Sequence, residues 1–351
     1  MRLHFFFASL LATSLAAQNF TIQKSNTEAN LRGVSTPSSQ VAWASGTHGT
    51  YLRTMDAGSS WQAAQVPGAE ALDFRDVEAF SGDLAYLLSA GPGDRARIYK
   101  TTDAGKNWIL QFTYENPKGF FDCMAFWDPD HGIALGDPVR DHAGKLKFEL
   151  ISTEDGGKNW KPIPPDALPP AIEGEAAFAA SGTCITVEGK TNVWFATGGK
   201  VARVFRSTNA AKTWTVADTP IVHGNESLGI FSIAFRDPKH GVIAGGDYRN
   251  PELYGPYLAF TDDGGLTWKL SPASPQTYFS AVAFAKPGSA DNAVLLVGPT
   301  RSAYADDLTK PSWKKSWDLN LNALSISPTG DAIAVGPKGL IVTFGSVSSA
   351  R

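Results

Sequence analysis

Apolar residues in this chain come in short runs, and seven of those runs close on a glycine. They span residues 41–46, 85–91, 133–136, 193–198, 242–245, 293–298 and 333–336. Runs this short, bounded by turn residues and lacking a 3.6-residue period, predict β-strands buried on both faces and exclude a helical solenoid. Most are preceded by a second apolar stretch, often ending Ala-Phe, as at Ala79-Phe80, Ala125-Phe126, Ala234-Phe235 and Ala283-Phe284. Small and large residues alternate there, which suits an innermost strand lining a tapering channel. The pattern therefore predicts seven strand pairs.

A second periodicity has a different phase. Thr54-Met55-Asp56-Ala57-Gly58-Ser59-Ser60-Trp61 returns as Thr101-Thr102-Asp103-Ala104-Gly105-Lys106-Asn107-Trp108, then around Asp155 and Trp160, and again around Asp263 and Trp268. Ser207-Thr208-Asn209-Ala210-Ala211-Lys212-Thr213-Trp214 is a degenerate copy, and a more decayed one ends at Trp313. These tryptophans are 47, 52, 54, 54 and 45 residues apart, the length of a four-stranded propeller blade. In such a motif the Asp side chain accepts backbone N–H groups of a tight turn, Gly supplies positive φ, and Trp packs between neighbouring sheets. The aspartates Asp56, Asp103, Asp155 and Asp263 are thus expected to be structural. The motif resembles the Asp-box of bacterial neuraminidase-type repeats.

Six tryptophan turns against seven strand pairs leave the last blade, from near Leu321 to Phe344, without an outermost strand. Phe20-Thr21-Ile22-Gln23 is the segment available to supply it, which would close the ring and remove an exposed edge. The expected fold is all-β, a seven-bladed β-propeller of four-stranded antiparallel blades closed by the N-terminal strand.

The order of the pieces resembles photosystem II stability/assembly factor-like propellers over nearly the whole chain beyond the leader. The resemblance rests on Leu31-Arg32-Gly33-Val34, Val41-Ala42-Trp43-Ala44-Ser45-Gly46, Leu52-Arg53-Thr54-Met55-Asp56-Ala57-Gly58, Phe74-Arg75-Asp76-Val77 and His131-Gly132-Ile133-Ala134-Leu135-Gly136-Asp137. It implies a seven-bladed propeller that binds or helps assemble proteins. It implies no photosynthetic role, and the family's basic binding patch has no residue-by-residue match here.

Composition and charge narrow the partners. The net charge is −3 and no basic stripe stands out, so nucleic acid is not an expected partner. The opening residues hold one positive charge at Arg2, an apolar stretch and small residues ending Ala16-Ala17, the pattern of a secretory signal peptide cleaved near Ala17. Residues 18–351 are then expected to be one domain, periplasmic or secreted and monomeric. No later segment is apolar for long enough to span a membrane as a helix. Export permits Cys123 and Cys184 to form a disulfide, while two buried thiols fit the sequence equally. Neither has a Cys or His partner at metal-ligand spacing, so no metal and no cofactor is expected.

Blade topology assigns the candidate chemistry to one face. The tryptophan turns share a face with the turns joining first and second strands, among them Asp128-Pro129-Asp130-His131-Gly132 and Asp237-Pro238-Lys239-His240-Gly241, whose histidines read as solvated turn residues. The opposite face gathers richer loops: those starting at Asp137 and Asp247, a linker containing Glu175, another containing His223 and Glu226, and the starts of inner strands at Arg75-Asp76 and Asp122-Cys123. Candidate ligand-binding residues there are Arg75, Asp76, Asp122, Asp137, Glu175, Arg203, Asp247, Tyr248 and Arg249. The first function expected is binding of a protein partner without catalysis. The alternative is a glycoside hydrolase acting on carbohydrate at the same mouth. In a sialidase-like version Arg75, Arg203 and Arg249 would meet the substrate carboxylate beside Tyr248 and Glu175, although the Arg-Ile-Pro signature is absent and the nearest string is Arg97-Ile98-Tyr99. A more ordinary hydrolase would use paired carboxylates such as Asp122 and Asp137. Neither a dinucleotide-binding Gly-x-Gly-x-x-Gly nor a Gly-x-Ser-x-Gly elbow occurs in a supporting context.

Overall fold

A computed structural model of the chain describes residues 20–272, 277–285, 291–310 and 313–344. The expected leader, residues 1–17, lies outside the described residues. The described residues form seven antiparallel blades. Blade 1 comprises Leu31–Ser35, Ala42–Gly46, Thr50–Thr54 and Gln62–Gln65. Blade 2 comprises Asp73–Ala79, Ala85–Ala90, Arg97–Thr101 and Ile109–Thr113. Blade 3 is Phe121–Phe126, Gly132–Arg140, Leu146–Thr153 and Lys161–Pro162, and blade 4 is Ile185–Glu188, Asn192–Ala196, Arg203–Ser207 and Thr215–Asp218. Blade 5 is Leu228–Phe235, Gly241–Asp247, Leu258–Thr261 and Lys269–Leu270, extended by the two-residue strands Glu175–Ala176 and Gly198–Gly199. Blade 6 is Ala281–Phe284, Val294–Val297, Ser302–Ala305 and Trp313–Trp317. Blade 7 has three strands of its own, Ala323–Ile326, Ala332–Val335 and Ile341–Phe344, and takes Phe20–Gln23 as its fourth. Phe20 pairs with Phe344 and Gln23 with Ile341, so the N-terminal strand closes the ring as expected.

The apolar residues divide into seven cores, one between each pair of neighbouring blades. A second strand therefore meets a core on each face. That is why its side chains are buried throughout, as in Ala85–Ala90 and Val294–Val297, and why its sequence does not alternate. It also explains how a chain of this length holds together as stacked neighbours rather than around one centre.

Five of the seven glycines that close the second strands have a common cause. A Cβ on Gly46 would lie 2.5 Å from the Asn30 carbonyl oxygen, and one on Gly136 would lie 2.6 Å from that of Phe120. Gly245, Gly298 and Gly336 meet the carbonyls of Gly229, Tyr278 and Asn320 in the same way. At each place the inner strand enters so close to its neighbour that no side chain fits.

The tryptophan turns share one hydrogen-bond scheme. Thr54 Oγ1 donates to Asp56 Oδ1 at 2.8 Å and accepts the Gly58 N–H at 2.9 Å, while Asp56 accepts the Ser60 N–H at 2.8 Å and the Ser60 hydroxyl at 2.6 Å. The set recurs around Asp103, Asp155 and Asp263. Around Asn209 the last bond reverses, with Asn209 Nδ2 donating to Thr213 Oγ1. Bonds from the Asn159 side chain and backbone pull the Asp155 carboxyl down to about 2. His131 and His240 are each held by an aspartate of their own turn, Asp128 and Asp237, at 2.8 Å.

Candidate functional site at the channel mouth

The loops expected to carry function surround a cavity of about 470 Å³ at the mouth of the central channel, on the face opposite the tryptophan turns. Its charged wall comes from blades 1 to 3. Arg32, Arg75 and Asp122 each follow a fully buried apolar residue, Leu31, Phe74 and Phe121, at the start of an inner strand. The pairing register slips at each of these places, between Leu31 and Gly33, Phe74 and Asp76, and Phe121 and Cys123. A bulge of this kind swings one side chain out of the alternation and aims it at the mouth. Blade 5 repeats the device between Ile230 and Ser232, where the freed side chain is Phe231. Asp137 stands at a further slip, between Gly136 and Pro138, where the second strand of blade 3 continues to Arg140 instead of ending in the expected loop. The continuation pairs Val139 with Lys147 and Arg140 with Leu146, lifting the hairpin above the blade.

The floor is a segment of the linker between blades 3 and 4. The Ala177 N–H donates to Asp137 Oδ1 at 2.9 Å, and the Ala179 N–H faces the Asp122 carboxyl. Arg75 donates to the Ala179 carbonyl at 3.2 Å. Ser181 then donates to the Ser280 carbonyl of blade 6, and Gly182 lies against the Asp76 carboxylate of blade 2. Thr183 meets Ser232 of blade 5 at 2.7 Å, and Cys184 is disulfide-bonded to Cys123, with 6.1 Å between the Cα atoms. Contacts with blades on opposite sides of the ring show that residues 177–184 cross the channel. Below them lies a second chamber, of about 280 Å³, lined among others by Asp76, Glu78, Ser181 and Thr183.

The remaining wall is aromatic. Phe178 stacks on Phe231 with centroids 4.0 Å apart, Tyr248 stands edge-on to both, and Tyr278 stands edge-on to Phe231 at 4.7 Å. Gly198 and Gly229 leave the space that the Phe178 ring fills. Tyr248 also begins the rim: it is 45% exposed, with Leu253 at 55% and Tyr254 at 72% further along the same loop.

Electrostatically the site combines paired and unsatisfied groups. Arg75 Nε bonds Asp73 Oδ2 at 2.8 Å. Arg32 Nε, Asp73 Oδ1 and Asp122 Oδ2 are buried without a hydrogen-bond partner. Burial, reinforced by the neighbouring Asp137, holds the Asp122 carboxyl well above the usual carboxylate range, and burial raises Asp137 to about 6. In the lower chamber burial also lifts Asp76, and lifts Glu78 to about 8.

Of the nine candidate residues, Arg75, Asp122, Asp137 and Tyr248 line the mouth. Asp76 faces the lower chamber and accepts the Met124 N–H at 2.7 Å, because the bulge at Arg75 turns the following residue down the channel. Glu175 and Arg203 form a buried pair with Nε to Oε1 at 2.9 Å, and Glu175 also accepts the Thr197 hydroxyl and the Ile172 N–H. Asp247 holds its own loop through the Arg249 N–H and Asn250 Nδ2, and Arg249 pairs with Glu226 at 2.6 Å. The sialidase-like set is therefore not brought together, since only Arg75 and Tyr248 of it reach the mouth. Sequence reasoning missed Arg32, Phe178, Phe231 and Tyr278. Aligning the inner strands on their first buried apolar residue would have picked out Arg32 and Phe231 beside Arg75 and Asp122. Among the described residues no group of three or more His, Cys, Asp or Glu side chains is placed to hold a metal.

No family model matches the sequence, and no curated protein does either. Solved structures do. The chain is similar to a structure of YCF48 bound to D1 peptide at 16% identity and TM-score 0.66, covering 94% of this chain and 98% of that one. It is similar to YCF48 from Cyanidioschyzon merolae at 18% identity and TM-score 0.61, with 93% and 98% covered. The GH74 xyloglucanase from Xanthomonas campestris matches at 17% identity and TM-score 0.62, over 95% of this chain and 54% of that one. At these identities the likeness is one of fold, that of the β-propeller.

Proposed function

We propose that this chain is an exported, non-catalytic binding propeller that receives a segment of a protein partner at its channel mouth. The observation carrying the reading is the aromatic wall of Phe178, Phe231, Tyr248 and Tyr278, continued onto the surface by Tyr248, Leu253 and Tyr254. Exposed aromatics beside a pocket of residue size suit an anchoring side chain surrounded by a wider contact. The crossing segment closes the floor, so a ligand inserts and does not thread. A propeller of similar fold, YCF48, has a structure bound to D1 peptide. The leader pattern at residues 1–17 supports a periplasmic or secreted setting, as does the disulfide.

One observation favours a second reading, a glycoside hydrolase. Asp122 and Asp137 are neighbouring carboxyls in a pocket, both raised, and such a pair can divide acid and base roles. The xyloglucanase of similar fold is a relevant neighbour. A displayed peptide library tests the two together. Binding by the wild type, lost in Phe231→Ala and Tyr248→Ala, supports the binding reading. Hydrolysis of a chromogenic glycoside panel, abolished by Asp122→Asn, would replace it with the second.

A further inference from the structure

We propose that the mouth pocket takes its ligand by a carboxylate group, gripped between the Arg32 guanidinium, Arg75 and the Asp122 carboxyl, with an apolar or aromatic group beside that carboxylate lying on Phe231. This rests on the mouth being the binding site and specifies what it recognises there.

The unsatisfied atoms point to the ligand. Arg32 Nε is a donor buried without an acceptor, in a cavity that Arg32 lines. Asp122 is 1% exposed and lines the same cavity; the Ala179 N–H faces its carboxyl, and Oδ2 has no hydrogen-bond partner. A buried polar group left unpaired is destabilising, so two in one cavity mark where a complementary ligand group gains most. What complements them depends on the proton of Asp122. Buried beside Asp137, Asp122 keeps its proton well above the usual range, and a protonated carboxyl presents an O–H donor. Both unsatisfied groups then ask for an acceptor, and a carboxylate supplies two oxygens to a guanidinium fork.

The charges facing this position are few. Arg32 comes from blade 1, Asp73 and Arg75 from blade 2, and Asp137 from the second strand of blade 3; the crossing segment contributes the backbone N–H groups of Ala177 and Ala179. Tyr248 and Tyr278 close the far side, and burial raises the Tyr278 phenol, which stays neutral. Asp73 already neutralises one arginine, so an arriving anion meets a net positive wall while Asp137 is protonated. As Asp137 ionises near 6 it repels that anion. Binding should therefore weaken as pH rises from 5 to 8.

Isothermal titration tests this with three acids and their amides: 3-phenylpropanoate, a hexapeptide ending in a free C-terminal Phe, and a peptide capped at both ends with an internal Glu-Phe. Phenylphosphonate tests carboxylate against other anions. At least one acid should bind tenfold or more tightly than its amide, and which one does so identifies the source of the carboxylate. Arg32→Gln should abolish that preference. Asp122→Asn, which keeps an N–H donor, should retain binding where Asp122→Ala loses it, and Asp137→Asn should remove the decline toward pH 8. Thermal melts of each variant confirm folding. Equal binding of acids and amides, or binding untouched by Arg32→Gln in a folded protein, overturns the carboxylate assignment. Should Phe231→Ala still abolish peptide binding in that case, the binding function itself survives. Loss of peptide binding altogether in the wild type sinks both.

Discussion

Ala210 and Ala211 sit at φ 54° and 63°, in the turn where Gly156 and Gly157, or Gly264 and Gly265, occupy the same places. A left-handed non-glycine residue costs about 1–2 kcal/mol, and a glycine returns part of that as unfolded-state entropy. Ala210 is exposed and loses no packing on truncation. Ala210→Gly is therefore expected to raise stability by about 0.5–1 kcal/mol, read from urea midpoints. The turn keeps its geometry without its glycines because Asn209 and Ser207 still make the side-chain bonds. Glu78 presents the opposite situation, a residue whose conformation is ordinary and whose surroundings are not. Burial raises it to about 8, so the folded state holds a proton that the unfolded chain has lost above its ordinary value of 4.5. Stability contributed by such a group is present at low pH and declines as pH climbs through that window. Glu78→Gln should leave stability unchanged at pH 4 and raise it by about 1–3 kcal/mol at pH 8.

At the scale of the strand, the glycine-closed second strands were legible because a buried strand and a forbidden Cβ both leave marks in a single sequence. The reason behind the glycines was not, since it lies in a carbonyl from another strand. Gly136→Ala should cost about 2–4 kcal/mol in denaturant unfolding, because the Phe120 carbonyl is backbone and has little room to move. Gly144→Ala, at a hairpin tip with nothing within 4 Å but at φ 78°, should cost only about 1 kcal/mol. The bulges show where reading ran out. A strand's alternation predicts which face a residue takes only if the register holds, and the mouth is built where it slips. Charge at a strand start singled out Arg75 and Asp122, and the same mark on Arg32 went unused. Phe231 carried no such mark, because an aromatic residue in an apolar strand looks like core. Glu175 and Arg203 were expected at the mouth as charges in a linker and a third strand, yet they satisfy each other inside the fold. The crossing of residues 177–184 left no local signal, since its partners come from blades 2, 3, 5 and 6.

For the molecule as a whole, the disulfide ties the crossing segment to blade 3 across 61 residues of chain. Replacing both cysteines by alanine should lower stability by about 2–4 kcal/mol, and reduction of the wild type should reproduce the shift in a thermal melt. The joint in blade 7 has a different consequence. Phe20–Gln23 and its partner Ile341–Phe344 stand at opposite ends of the described chain, and the closure also engages Trp61, whose indole donates to Gln23 at 2.7 Å. A polypeptide emerging N-terminus first makes this strand before any of the seven blades and has nothing to pair it with until blade 7 follows. Blades 1 to 6 can stack in order as they appear, but the ring locks only once Ile341–Phe344 has been made. Until then Phe20–Gln23 is an open edge, free to pair with any other strand that reaches it.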